Sequence, residues 1–143
     1  MKSTMMLVMD KVSTEVVKLL ARIVERYTKE YEQAAAARDL TSIQAKVLAA
    51  LDEPLPMHRI AEKLGSERSN VTGIIDRLQA RGLVERRPDE RDRRVKYIVA
   101  TDEGQRLAEE FRASLQFAAE PLASLGATDR RHLRDLLQRM LGD

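Results

Sequence analysis

The run Val71-Thr72-Gly73-Ile74-Ile75-Asp76-Arg77-Leu78-Gln79-Ala80-Arg81-Gly82-Leu83-Val84-Glu85-Arg86-Arg87 changes its hydrophobic period at Gly82. Before the glycine, Val71, Ile74, Ile75 and Leu78 fall at i, i+3, i+4 and i+7, one face of a helix. After it, Leu83 to Arg87 reads as a strand, and a second strand, Val95 to Val99, follows the charged, proline-containing stretch from Pro88 to Arg94. Two such runs around a polar turn predict a hairpin. Upstream, a shorter helix turns Ile60, Ala61 and Leu64 inward and closes at Gly65, where a left-handed residue is least strained; Ser66 restarts the chain. Helix, glycine-containing turn, helix, glycine, strand, arginine-rich turn, strand is the order of a winged helix-turn-helix.

The flanks extend this unit with helices. Val12, Val16, Leu19, Leu20, Ile23, Tyr27 and Tyr31 recur at helical spacing with no glycine or proline between Val12 and Ala37, predicting one long amphipathic helix. Thr41 and Gln44 form a reciprocal capping pattern that opens a helix through Ile43, Val47, Leu48 and Leu51. Pro54 and Pro56 end it and force an extended link. Thr101 is read as the cap of a long helix with Asp102 and Glu103 in its first turn and a stripe of Leu107, Phe111, Leu115 and Leu122. Thr128 and Asp129 open the last helix, which carries Leu133, Leu136, Leu137, Met140 and Leu141. The expected fold is mainly α with a small β-wing. The expected division is residues 1–40 as an N-terminal helix, 41–100 as the winged lobe and 101–143 as the C-terminal helices. The terminal helices are the expected dimerisation elements, and the lobe the expected DNA-binding one once the charges and the resemblance below are considered.

A chain of 143 residues supports one domain with a real core. Its 43% hydrophobic and 34% charged residues suit a soluble helical protein and argue against disorder or a membrane class. No apolar run approaches a bilayer span, and Met5 to Met9 lacks the pattern of a secretory signal, so a cytoplasmic protein without membrane contact is expected. The methionines there are candidates for oxidant sensing through sulfoxide formation, or simply reflect a flexible start. Absence of cysteine removes disulfides, thiolate ligands and cysteine redox sensing. His58 and His132 lack zinc-site spacing, and no phosphate loop, nucleophile elbow or isolated carboxylate pair is present, so neither cofactor, metal nor enzymatic activity is expected.

Lys and Arg exceed Asp and Glu by 25 to 23, too small a margin to identify a nucleic-acid partner, so the distribution must decide. On the second helix of the pair, Ser69, Thr72, Gly73, Asp76 and Arg77 lie opposite or beside the buried stripe, with Arg68 and Asn70 near its start. Short hydroxyl and amide groups suit base edges and phosphates, and Gly73 lets the backbone approach a groove. A solvated helix face would look the same in isolation. The hairpin adds Arg86, Arg87, Arg91, Arg93, Arg94 and Lys96, placed to meet phosphates or a narrow minor groove. Glu85, Asp89, Glu90 and Asp92 are interleaved, as in any mixed-charge hairpin. The order of elements favours DNA.

The chain resembles the MarR family of bacterial winged-helix regulators over nearly its whole length. The resemblance is strongest from Val71 to Gly104, where Asp92, Arg94, Thr101 and Gly104 match the family's D-x-R-x-x-x-x-x-L-T-x-x-G signature, with Ala100 in the usual leucine position. It implies a homodimer joined by its terminal helices, recognition helices in successive major grooves, and wing arginines in flanking minor grooves, with Arg94 entering the groove and Asp92 holding the wing tip. It also implies a ligand-responsive repressor of a palindromic operator, released by a small aromatic or anionic effector. Tyr27 and Tyr31, one helical turn apart, together with Arg26, are candidates to line the effector cleft; packing at a dimer seam is the alternative for the tyrosines. The competing function is a winged-helix module that binds proteins without specific DNA binding, and salt-dependent binding to a palindromic duplex separates the two.

Overall fold

The computed structural model describes residues 8–65 and 68–143, without the side chains of Arg68 and Ser69. The expectations for Ser66, for the stretch from Met5 to Leu7 and for those two side chains lie outside the described residues. The chain divides into two compact units: Thr28–Leu115, and the residues up to Tyr27 with Gln116–Asp143.

The first long helix, α1, runs Lys11–Ala36. Its start is fastened by Asp10, whose carboxylate accepts from the Ser13 amide at 2.7 Å and the Ser13 hydroxyl at 3.0 Å. The Ser13 amide, first among these contacts, holds the Asp10 carboxyl below the ordinary carboxylate range. Within Thr28–Leu115, the last turns of α1 bury Ala34 and Ala35. The chain then turns through Asp39 at φ 54°. Arginines secure this corner: Arg81 Nη1 donates to the Asp39 carbonyl at 2.6 Å, and Arg38 Nη1 and Nη2 donate to the Ala34 and Glu110 carbonyls, each at 2.9 Å.

Helix α2, Ser42–Ala50, opens with the expected capping box between Thr41 and Gln44 and buries Ala45, Val47 and Leu48. Leu55–Pro56 forms a two-residue strand, β1, where an extended link alone was anticipated. Helix α3, Met57–Leu64, buries Ile60 and Ala61 and ends at Gly65, φ 65°. Helix α4, Arg68–Ala80, follows, then strands β2, Val84–Pro88, and β3, Lys96–Ala100. The antiparallel sheet has the order β1-β3-β2, with β1 at an edge, where a proline costs no ladder bond. Helix α5, Asp102–Ser114, covers the core with Ala108 and Phe111. The core of the lobe joins these residues to Leu48, Ile60, Val71, Ile75, Leu78, Leu83, Val84 and Ile98.

The junction after α4 is closely bonded. Gly82 takes φ 75°, and the Leu83 amide donates back to the Leu78 carbonyl at 3.0 Å, ending the helix. The Thr101 amide donates to the Leu83 carbonyl at 3.0 Å, and the Thr101 hydroxyl donates to the Gly82 carbonyl at 2.7 Å while accepting from the Gly104 amide at 3.1 Å. A Cβ on Gly104 would stand 2.0 Å from the Leu83 carbonyl oxygen.

In the other unit, α6 spans Ala127–Leu141. One expectation needs correction here. The helix from Thr101 stops at Ser114, so Leu122 is not on its stripe; residues 116–125 are turns. Pro121 disfavours helical geometry at Glu120 and has no amide to continue a ladder. Arg130 fastens this segment instead, donating to the Leu125 carbonyl at 2.8 Å and the Leu122 carbonyl at 2.9 Å. Helix α6 begins at Ala127 with Gly126 as its cap, which places Thr128 and Asp129 inside the first turn. It has no buried residue, and Leu136 and Met140 are 41% and 61% exposed. Val12, Val16, Leu19 and Ile23 on α1 are likewise exposed. Among the described residues, no helix is long and apolar enough to cross a membrane.

Gly104→Ala is expected to lower the unfolding free energy by about 2 kcal/mol or more, because the intruding methyl meets rigid backbone. Urea denaturation against wild type measures it; an unchanged midpoint would show that α5 does not need this close approach.

Candidate nucleic-acid interface

Helix α4 is anchored on one face and open on the other. Val71, Ile75 and Leu78 are fully buried, Ile74 packs against the same core, and Asn70, Thr72, Asp76 and Arg77 are exposed. Gly73 lies on the open side, and a Cβ there would meet nothing within 4 Å. A helical glycine costs about 1 kcal/mol relative to alanine, and the packing of the lobe gives no reason for it.

The wing projects beyond this helix on β2 and β3. Its turn is closed by the Asp89 amide donating to the Val95 carbonyl at 2.9 Å and the Val95 amide donating to the Asp92 carbonyl at 3.0 Å. The Asp92 carboxylate accepts from the Arg94 amide and from Arg94 Nε, both at 3.1 Å, so it braces backbone and side chain together. The Arg94 side chain is 91% exposed. Arg91 and Arg93 are exposed and make no hydrogen bond or ion pair among the described residues. The tip thus presents three guanidinium groups to solvent, one of them held in direction by Asp92.

The remaining wing arginines differ. Arg87 pairs with Glu85 on its own strand at 3.0 Å. Arg86 turns back to α4, where Nη2 meets the Asp76 carboxylate at 2.5 Å and Nη1 donates to the Gln79 side-chain oxygen. Sequence reading missed this bridge. Its signal was present, since Asp76 and Gln79 are three residues apart on one helical face and Arg86 follows shortly after the turn.

The residues proposed to line an effector cleft are distributed over both units. Arg26 lies with its guanidinium 4.3 Å from the centroid of the Phe117 ring, and Tyr27 belongs to the same unit. Tyr31 belongs to the winged lobe, where its ring packs on Phe111 with centroids 5.4 Å apart and the Lys46 ammonium lies 5.0 Å from its centre. Among the described residues no group of three or more His, Cys, Asp or Glu side chains is placed to hold a metal.

Comparison with known proteins agrees with this geometry. The MarR family model matches residues 40–96. The HTH-type transcriptional repressor NicR of Pseudomonas putida is 31% identical over 133 residues, covering 91% of this chain and 84% of its own. Among solved structures, CouR from Rhodococcus jostii RHA1, bound to p-coumaroyl-CoA, is 29% identical with a TM-score of 0.74 and covers 92% of this chain and 95% of its own. BpsR of Bordetella bronchiseptica, whose DNA binding is regulated by 6-hydroxynicotinic acid, is 27% identical with a TM-score of 0.67, covering 90% of this chain and 94% of its own. With a winged helix-turn-helix, an open face on α4 and a relative of this extent, the chain belongs to the MarR family of DNA-binding transcriptional regulators.

Proposed function

We propose that this regulator is a homodimeric repressor that reads a palindromic operator in the cytoplasm and releases it on binding a small aromatic or anionic effector. The observation that carries the DNA-reading part is the pairing of an open, glycine-bearing α4 face with a wing tip whose Arg94 is braced by Asp92. Arg68, Ser69, Asn70, Thr72, Gly73 and Arg77 supply the major-groove surface, as residues of one helix must if that helix enters the groove. Arg94 takes the minor groove, and Arg91 and Arg93 take phosphates. The effector class is supported by the aromatic ligands of CouR and BpsR and by the absence of cysteine, which leaves this chain no thiol trigger. Arg26, Tyr27 and Tyr31 remain the residues assigned to it.

The dimer reading rests on the apolar rows of α1 and α6, too exposed for a lone soluble chain. On this reading residues 1–40 and 101–143 supply the dimerisation helices and residues 41–100 the DNA-binding lobe, with the final turns of α1 and much of α5 also packing in the lobe core. Leu136→Glu is expected to yield monomers or aggregates and to abolish operator binding, because a charge would enter the seam without a partner. Sedimentation at micromolar concentration decides; a wild-type chain that runs as a monomer would contradict the dimer.

Arg94→Ala is expected to weaken binding to related operators alike and to reduce the slope of log K against log salt by about one unit if one phosphate contact is lost. Changing Asn70, Thr72 or Arg77 instead alters base preference, by about 1–3 kcal/mol for a good bidentate contact. Titration over a salt series, with circular dichroism as a check on folding, tests both. Equal affinity and slope for Arg94→Ala would make the wing mere surface. For the effector, aromatic carboxylic acids are expected to raise the melting temperature and to release DNA; a broad panel that does neither would remove this assignment.

A further inference from the structure

Arg86 sits among the wing cations in sequence yet points away from them in space. Its register partner on β3 is Ile98, which is fully buried, so Arg86 occupies the sheet face turned toward the core, and its side chain is only 28% exposed. Both terminal nitrogens of its guanidinium are engaged by α4: Nη2 by the Asp76 carboxylate at 2.5 Å and Nη1 by the Gln79 side-chain oxygen. Asp76 and Gln79 lie one helical turn apart, so the planar fork spans a turn of α4 and fixes its rotation relative to the strand that leads to the wing tip. Asp76 itself is exposed on the side of α4 that carries Thr72 and Arg77. A negative charge there repels phosphates and is costly to binding unless it does something else.

We propose that Arg86 is a positioning residue rather than a phosphate contact, locking the wing to α4 through Asp76 and Gln79, and that Asp76 supports DNA binding for this reason despite its charge. A recognition helix and a wing tip that enter neighbouring grooves of one stiff duplex must keep a fixed separation. The shared core and the Thr101 junction join the end of α4 to the root of β2, while the Arg86 fork adds a tie on the exposed side, farther along the strand toward the wing tip. The proposal rests on the DNA-reading assignment and adds a determinant of the distance between the grooves read.

The test uses the full chain and a duplex that wild type enriches from a randomised library, together with a second duplex in which the flanking A·T-rich segment is moved outward by one base pair. Affinities are measured for wild type, Arg86→Lys, Arg86→Ala, Asp76→Asn and the Asp76→Asn/Arg86→Ala pair, with melting curves to confirm folding. The expected result is that Asp76→Asn binds several-fold more weakly than wild type although it removes a negative charge. Arg86→Ala and Arg86→Lys should show a similar loss, and the double variant should be no weaker than Arg86→Ala, since one linkage is being broken. These variants should also discriminate less between the two duplexes, which a simple loss of stability would not produce. Should Arg86→Ala fail to fold, Asp76→Asn and Arg86→Lys carry the same comparison. Tighter binding by Asp76→Asn, or wild-type affinity and spacing preference in Arg86→Lys, overturns the proposal and returns Arg86 to the phosphate contacts. A wild-type chain that enriches no duplex would instead defeat the DNA-reading assignment along with it.

Discussion

Everything the lobe presents to a partner depends on the clasp that Thr101 makes on Gly82 and Leu83. The Thr101 amide and hydroxyl engage the two carbonyls released where α4 ends, and the same hydroxyl accepts the Gly104 amide to start α5. One residue therefore fixes the end of the reading helix, the root of β2 and the first turn of the covering helix. Gly104 is what lets them meet, because its missing side chain leaves room for the Leu83 carbonyl. These bonds, with the buried face of α4, tie the C-terminal end of the helix to the sheet and to α5.

Three arginines, Arg38, Arg81 and Arg112, donate to backbone carbonyls of the lobe. Others sit in ion pairs along α5 or the strands. The chain is thus rich in arginine while carrying a formal net charge of only +2. Arg91, Arg93 and Arg94 stand exposed at the wing tip and Arg77 on the open face of α4, and for a polyanion such placement matters more than total charge. Exposed pairs such as Asp92–Arg94 contribute little to stability, about 0–1 kcal/mol, so that contact sets the direction of the guanidinium more than it stabilises the fold.

The winged helix-turn-helix was legible because its boundaries are set by local chemistry. The Thr41–Gln44 box, the left-handed Gly65 and Gly82, and the Thr101 cap each need only a few neighbouring residues, and each appears where the sequence places it. Periodicity was misleading where it ran past a break: Leu115 and Leu122 keep helical spacing, yet Pro121 and the Arg130 bonds hold the intervening chain in turns. The strand Leu55–Pro56 is two residues long and exists only through its partners Ile98 and Tyr97, a tertiary fact with no local signature. Arg86 and Arg87 look equivalent as neighbours in a charged run, but strand alternation sends them to opposite faces, one to α4 and the other to Glu85. The Asp10 cap on α1 was readable from Asp10 and Ser13 and was passed over because the helix was entered from its apolar stripe.

We propose that the lobe reads double-stranded DNA by sequence, with α4 in the major groove and the wing in the adjacent minor groove. Footprinting of the full chain on a duplex enriched from a random library, with stoichiometry from sedimentation and affinity followed over a salt series, tests it most directly. The expected result is two chains per duplex, paired major-groove protections flanked by minor-groove protections, and log K falling linearly with log salt. Equal affinity for duplexes of unrelated sequence, or protection of the major groove alone, would contradict it.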